Sequence, residues 1–144
     1  MRTESQQFYT NTLVQIAPDS TATTGIIPPM RSEVRTVALC EYELLSAQPY
    51  KLTQHELIFE TYIIRQGLST SEAKRQRATI WDELFRKSYP CMRASMLTKK
   101  YGWGAHYDAA GRLALHAVDS PEYANLARPN SGTALVLAMR GKRA

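Results

Sequence analysis

Two histidines that the sequence places on neighbouring strands are the first candidates for chemistry. His106 and His116 flank a turn that runs from Asp108 to Gly111. A type I turn with a bulge would put both imidazoles on one face of a hairpin, as diagonal neighbours ~7–8 Å apart at the backbone. Two such imidazoles could exchange a proton or bind a metal ion. No H-x-H or H-x-x-x-H motif supplies a third ligand, so we predict acid–base histidines, or merely solvated ones, and no metal or cofactor.

A second candidate is the short basic segment that precedes the hairpin. It offers many hydrogen-bond donors, two glycines that would let a ligand approach the backbone, and aromatic rings that could stack on a planar group. An arginine can hold a carboxylate or phosphate with two parallel bonds. We therefore predict that a small anion binds to Arg93, Ser95, Thr98, Lys99, Lys100, Tyr101 and Trp103. The alternative is a structural loop, with Trp103 in the core and the lysines in water.

Other reactive residue types lack a supporting pattern. Cys91 precedes Arg93 by two residues, but the phosphatase spacing of a cysteine, five residues and an arginine ends here on Leu97. A free cysteine is most often buried, and we expect Cys91 to pack in the core. Three glutamates could be acids near a cleft, although their spacing marks no catalytic pair: Glu41, Glu43 and Glu60. The chain has no P-loop, dinucleotide fingerprint or G-x-S-x-G motif.

The register of the hairpin follows from its turn. Asp108 suits the first position of a type I turn, and Gly111 suits the left-handed residue of the bulge that follows. This three-residue loop pairs Tyr107 with Leu113, so that Trp103 and the other large apolar side chains share one face. A two-residue loop would put the aromatic residues and the leucines on opposite faces, so we predict the bulged register.

The remaining elements predict an α+β domain. Apolar spacing and caps predict helices at 33–47 (which also alternates like a strand), 69–87 and 121–128, and strands at 13–17 and 133–139. A capping box from Thr53 to Glu56 predicts one helical turn, followed by a strand at 57–65 because that stretch is rich in Ile, Phe, Tyr and Thr. We expect a mostly antiparallel sheet of about five strands, with about three helices packed against one face.

Length and composition favour one domain. The 144 residues fit a single globular domain, which we place at 10–140, between a flexible tail at 1–9 and a basic tail at 141–144. No apolar run is long enough to cross a membrane, and the polar N-terminus does not resemble a signal peptide. We therefore expect a cytoplasmic protein whose two cysteines, Cys40 and Cys91, are reduced.

Charge is distributed unevenly along the chain. Residues 1–67 contain five Lys/Arg and seven Asp/Glu, whereas residues 68–144 contain thirteen and six. No acidic residue occurs between Leu84 and Tyr107. This segment would therefore attract an anion, unless it is simply a solvated basic face.

A longer motif resembles a known family. From Pro90 to His106 the sequence follows P-C-x-R-A-S-x-L-T-K-x-Y-G-W-G-x-H. It is similar to a family of small microbial proteins classed as a domain of unknown function, and the similarity covers nearly the whole chain from about Tyr9. The resemblance implies one self-contained domain and no particular activity. Similar sequences often have proline where this chain has Met96, so the resemblance implies a less rigid loop here.

Three functions from different classes fit these observations. The first is binding of a small anionic metabolite in a pocket beside residues 90–107, with His106 and His116 as acid–base groups if the protein is an enzyme. The second is binding of nucleic acid through the basic half, although no recognised motif is present. The third is a scaffold or oligomer with an exposed apolar face, whose oligomeric state the sequence does not predict.

Overall fold

A mixed four-stranded sheet forms the centre of the computed structural model, which describes residues 6–141. Its strands are Thr12–Gln15 (β1), Trp103–Tyr107 (β2), Leu113–Ala117 (β3) and Ala134–Leu137 (β4), in the order β3-β2-β1-β4. β2 pairs antiparallel with β1 and β3, whereas β4 lies parallel to β1. The predicted α+β class is confirmed, but the expectation of about five mostly antiparallel strands was wrong in detail.

Six α-helices and one 3-10 turn occur within residues 6–141, rather than about three helices. They are Val37–Ala47 (α1), Gln54–Gln66 (α2), Thr70–Arg75 (α3), Arg77–Leu84 (α4), Met96–Lys99 (α5) and Pro121–Leu126 (α6), with the 3-10 turn at Met92–Ala94. The predicted helix at 69–87 is interrupted at Gln76, which ends α3 and precedes α4. The short helix α5 lies in the segment that was predicted to bind an anion.

The segment after the capping box is helix α2 rather than the predicted strand. Both bonds of the box form, because the Glu56 N–H donates to Thr53 Oγ1 at 3.3 Å and the Thr53 N–H donates to Glu56 Oε1 at 2.9 Å. Leu57 packs into the main core, while Phe59 joins a second cluster around Phe85. Burial on two sides of a helix, in two separate clusters, therefore overrides the strand preference of the β-branched and aromatic side chains and removes the expected fifth strand.

The helices cover both faces of the sheet, not one. On one face, Val14 and Tyr107 of the sheet belong to a core that includes Leu45 of α1. We call this first surface the helical face. On the opposite face, which also carries both candidate histidines, the Tyr123 ring of α6 lies where a side chain at Gly104 would collide with it. We call this second surface the histidine face. A glycine in β2 thus allows α6 to pack there.

The hairpin has the predicted register. Tyr107 pairs with Leu113, and Asp108 Oδ1 accepts hydrogen bonds from the N–H groups of Ala110 and Arg112, both at 2.9 Å. Gly111 adopts a φ of +78°, the left-handed conformation that the bulge requires. β1, β4 and α6 also form where strands and a helix were predicted.

The chain termini are described only in part. Residues 1–5 of the predicted N-terminal tail, and residues 142–144 of the predicted basic tail, lie outside the described residues. Gln6, within the predicted tail, exchanges two hydrogen bonds with the backbone of Tyr89, at 2.9 and 3.1 Å. The Phe8 ring packs edge-on against His55 at a centroid distance of 4.9 Å. Residues 6–9 therefore pack on the domain. No helix between residues 6 and 141 is long and apolar enough to span a bilayer.

Candidate functional site

The two predicted histidines lie together on the histidine face. Because β2 pairs with β3 in the bulged register, Gly104 faces His116 and Ala114 faces His106, which makes the imidazoles diagonal neighbours. Their ring centroids are 6.3 Å apart. The structure thus brings together the two histidines that were predicted to be acid–base groups.

A tyrosine that the sequence analysis missed connects them. The Tyr50 hydroxyl lies 2.8 Å from His106 Nδ1 and 2.9 Å from His116 Nε2. A phenol carries a single proton, so with neutral imidazoles one ring N–H donates to the phenol oxygen while the phenol O–H donates to the other ring nitrogen. The proton positions of these three residues, which we call the tyrosine–histidine cluster, are therefore coupled. Tyr50 is 56 and 66 residues from the histidines, so no local spacing pattern linked them.

The backbone after α1 holds Tyr50 in an unusual conformation. Tyr50 has a φ of +59°, a left-handed value that costs a non-glycine residue ~1–2 kcal/mol. Its N–H donates to the Leu113 carbonyl at 2.8 Å, and the Leu113 N–H donates to the Leu52 carbonyl at 2.9 Å. These bonds attach the segment to the outer edge of β3. Backbone strain of this kind persists only where surrounding contacts impose it, and it is concentrated at functional sites.

Burial keeps the cluster uncharged at neutral pH. Desolvation lowers the pKa of both imidazoles, and a charge on His116 would lower that of His106 further, while Asp108 and Glu122 oppose the respective shifts. Desolvation and the nearby Asp108 carboxylate raise the pKa of Tyr50. All three side chains are half-buried, so they are shielded from bulk water yet reachable from it.

Arg93, the central residue of the predicted anion site, links two parts of the fold. Its Nε donates to the Leu137 carbonyl at 2.7 Å, and its own carbonyl accepts from the Met139 N–H at 2.8 Å. Arg93 thereby connects the 3-10 turn to β4 and the residues after it.

Most other side chains of that segment also bond within the protein. The Thr98 hydroxyl is fully buried and donates to the Met92 carbonyl at 2.6 Å, and Trp103 Nε1 donates to the Ile26 carbonyl at 2.9 Å. Ser95 caps α5, Tyr101 is buried, and the exposed Lys100 ammonium lies 5.7 Å from the Tyr101 ring. Lys99 is half-buried.

The two predicted halves of the site do not meet. Met92, Leu97 and Tyr101 place the basic segment on the helical face, in the same core as Tyr107. His106 lies on the histidine face, because successive residues of a strand point to opposite sides. The histidines and the basic segment therefore form no common pocket.

A cleft among the helices of the helical face is a different candidate site. It encloses about 670 Å³ between α1, α2, α4 and residues 86–90. Its lining is mainly apolar, with contributions from Val37, Ile58, Tyr62, Ile80, Leu84 and Pro90. Three cationic side chains also line it, Arg65, Arg86 and Lys87, as do two carboxyl groups, Glu41 and Glu83. We call it the Glu41 cleft.

Glu41 is the unusual residue of this cleft. It is 9% exposed, and its Oε1 accepts a hydrogen bond of 2.7 Å from the Ser95 hydroxyl. Burial raises the pKa of the Glu41 carboxyl to about 7, although the Ser95 bond opposes the rise. A carboxyl group that exchanges a proton near neutral pH inside a cleft is typical of functional sites. The sequence named Glu41 as an acid without a role, because its hydrogen-bond partner Ser95 lies 54 residues away and its cleft forms only when three helices pack together.

The two cysteines lie outside both candidate sites. Cys40 is buried and Cys91 half-buried, and both are free thiols. Cys91 was expected to pack in the core, but its side chain is only partly buried. Among residues 6–141, no three His, Cys, Asp or Glu side chains cluster as metal ligands.

These features define a small α+β domain with a mixed sheet, helices on both faces, a polar cluster on one side and a cleft on the other. The chain belongs to the family of unknown function DUF6157, whose model matches residues 3–144. The match confirms the resemblance that the sequence indicated. No curated protein and no solved structure matches the chain.

Proposed function

We propose that the protein binds a small organic anion with an apolar body in the Glu41 cleft. The observation that carries the proposal is the combination, in one cleft, of a mainly apolar lining, a buried carboxyl group and three cationic side chains. Tyr89 and Pro90 place the cleft beside the start of the basic segment from which an anion pocket was predicted.

The size and lining of the cleft support a small ligand. A volume of about 670 Å³ falls within the ~300–1,000 Å³ typical of small-molecule sites. Such sites are mostly apolar, with a few polar groups that fix the orientation of the ligand. Val37, Ile58 and Leu84 would contact an alkyl or aromatic body, and Glu41 would orient a polar group on it.

The charges favour an anionic ligand. Arg86 is bonded only weakly to Asp82, at 3.9 Å, and its side chain is 70% exposed. Lys87 is exposed, and Arg65 uses its Nε to donate to the Arg35 carbonyl at 3.0 Å. These cations outnumber the two carboxyl groups of the cleft, one of which, Glu41, is partly protonated at neutral pH. A carboxylate on the ligand would therefore bind beside Arg86 and Lys87.

Calorimetric titration with matched ligands tests the proposal. Decanoate and 3-phenylpropionate are expected to bind at least tenfold more tightly than decanamide and 3-phenylpropanamide, because only the acids pair with the cations. The double variant Arg86→Ala/Lys87→Ala is expected to lose roughly tenfold or more in affinity for the acids, as hydrogen bonds to charged groups contribute ~1.5–3 kcal/mol.

The control variant is Lys74→Ala/Arg75→Ala. It removes the same charge from exposed positions of α3 that do not line the cleft. Equal loss of affinity in both double variants, or equal binding of acids and amides, would contradict the proposal. Binding of short oligonucleotides that disappears with added salt would instead favour the nucleic-acid alternative.

A further inference from the structure

We propose that the tyrosine–histidine cluster is a binding site for a divalent transition-metal ion of the class that imidazole prefers, such as Zn²⁺ or Cu²⁺. The sequence offered two histidines without a third ligand, and the fold supplies the third donor atom from Tyr50. The site lies on the histidine face and is independent of the Glu41 cleft.

Two of the three separations between the donor atoms match those between neighbouring ligands of a shared ion. The Tyr50 oxygen is 2.8 Å from His106 Nδ1 and 2.9 Å from His116 Nε2. Bonds of ~2.0–2.1 Å from one ion place neighbouring donor atoms ~2.9–3.4 Å apart, depending on whether the geometry is octahedral or tetrahedral. The imidazole centroids are 6.3 Å apart, so the two rings must also turn toward a common point before an ion can replace the hydrogen bonds that now connect these atoms.

The backbone fixes the positions of the three residues before any ion binds. His106 and His116 lie on adjacent strands of a five-residue ladder. Tyr50 is attached to the edge of β3 by its hydrogen bond to Leu113, in a left-handed conformation. Preorganised ligands reduce the entropy that is lost when a site forms around an ion.

The surroundings carry the right charge for a cation. Asp108 lies close enough to His106, and Glu122 to His116, to act on them electrostatically. Both Asp108 oxygen contacts that stabilise the turn involve Oδ1, which accepts from two backbone N–H groups. The negative charge of Asp108 and that of Glu122 favour a positive charge at His106 and His116, respectively. All three donor residues are half-buried, which leaves a path for the ion and for water in the remaining coordination positions.

Binding of the ion requires a defined proton balance. Each ring nitrogen that faces the ion must present its lone pair, so the imidazole that now donates to the phenol shifts its proton to its other nitrogen. The phenol oxygen must lose its proton to bind as phenolate. The cluster therefore releases a single proton to solvent for each ion that it binds, and no electron transfer is involved.

Titration of the untagged protein with Zn²⁺ tests this site. Calorimetry in two buffers of different ionisation enthalpy is expected to show one ion bound per chain with release of one proton, accompanied by the ultraviolet difference band of a tyrosinate. Cu²⁺ is expected to give an electron paramagnetic resonance spectrum with nitrogen hyperfine coupling. His106→Gln and His116→Gln are each expected to weaken binding by more than the ~10–100-fold that loss of an outer-shell partner costs.

Tyr50→Phe and Tyr42→Phe form the matched pair of controls. Tyr50→Phe is expected to remove the tyrosinate band and the proton release, whereas Tyr42→Phe, which alters a ring packed on Trp103, is expected to keep both. Circular dichroism verifies that each variant is folded. The proposal is overturned if the wild-type protein binds neither ion, if both glutamine variants bind as tightly as the wild type, or if Tyr50→Phe leaves proton release unchanged.

Discussion

Replacing Glu41 with glutamine is expected to stabilise the protein by roughly 3 kcal/mol at pH 8 and to have little effect below pH 4.5. The folded protein holds the Glu41 proton more tightly than the unfolded chain does, because burial raises the pKa from 4.5 to about 7. The buried carboxyl therefore lowers stability progressively as the pH rises from 4.5 to about 7, and above that range its cost is complete. A difference of this size corresponds to roughly 3 kcal/mol. Glutamine removes the charge and still accepts the hydrogen bond from Ser95.

The measurement is urea unfolding of both proteins at several pH values between 4 and 8. Glu43→Gln is the control, because Glu43 lies on the same helix but is exposed and bonded to Arg35 at 2.7 Å. Loss of that surface ion pair is expected to cost ~0–1 kcal/mol. A Glu41→Gln variant whose advantage over the wild type does not grow with pH would show that the carboxyl is not buried as described.

This cost bears on the proposed function. A side chain with this expected cost at neutral pH fits a role that a neutral residue could not perform, since stability and activity are often opposed at functional sites. If Glu41→Gln gains stability and also loses affinity for the organic acids, both effects are assigned to the same carboxyl group. If it gains stability and binds unchanged, Glu41 is not a ligand contact.

The second large effect is expected at Gly102, which joins the basic segment to β2. Gly102→Ala is expected to destabilise the protein by roughly 2–5 kcal/mol. Gly102 has a φ of +78°, which costs an alanine ~1–2 kcal/mol, and a Cβ would lie 3.0 Å from that of Ala22 and closer still to the Thr24 carbonyl oxygen. Overpacking against backbone typically adds ~1–3 kcal/mol. The loop around residues 22–26 can approach β2 only because this residue has no side chain.

Gly67→Ala separates the cost of backbone strain from the cost of overpacking. Gly67 ends α2 with a φ of +70°, but no heavy atom lies within 4 Å of the position that a Cβ would take. Its replacement is expected to cost only the backbone strain of ~1–2 kcal/mol. Denaturant unfolding of the two variants side by side measures the difference. Equal destabilisation would mean that the 22–26 loop moves away from Gly102 at no cost.

The sequence determined those parts of the protein that depend on neighbouring residues. Asp108 and Gly111 specify the turn, and alternation of apolar side chains then fixes the register of β2 and β3, so the juxtaposition of His106 and His116 was predictable. Ser120 and Pro121 likewise specified the start of α6, where the Ser120 hydroxyl accepts from the Tyr123 N–H at 3.1 Å. These features are local because turns and caps form between residues only a few positions apart.

Tertiary structure alone decided the rest. The apolar residues after Thr53 are as compatible with a strand as with a helix, and packing against α1 and the Phe85 cluster selected α2. The parallel pairing of β4 with β1 joins segments more than a hundred residues apart, which no local pattern encodes. Tyr50 reaches the histidines, and Glu41 reaches Ser95, for the same physical reason. Their partners are brought close only when distant segments bury their apolar surfaces together, and that burial is a property of the whole folded chain.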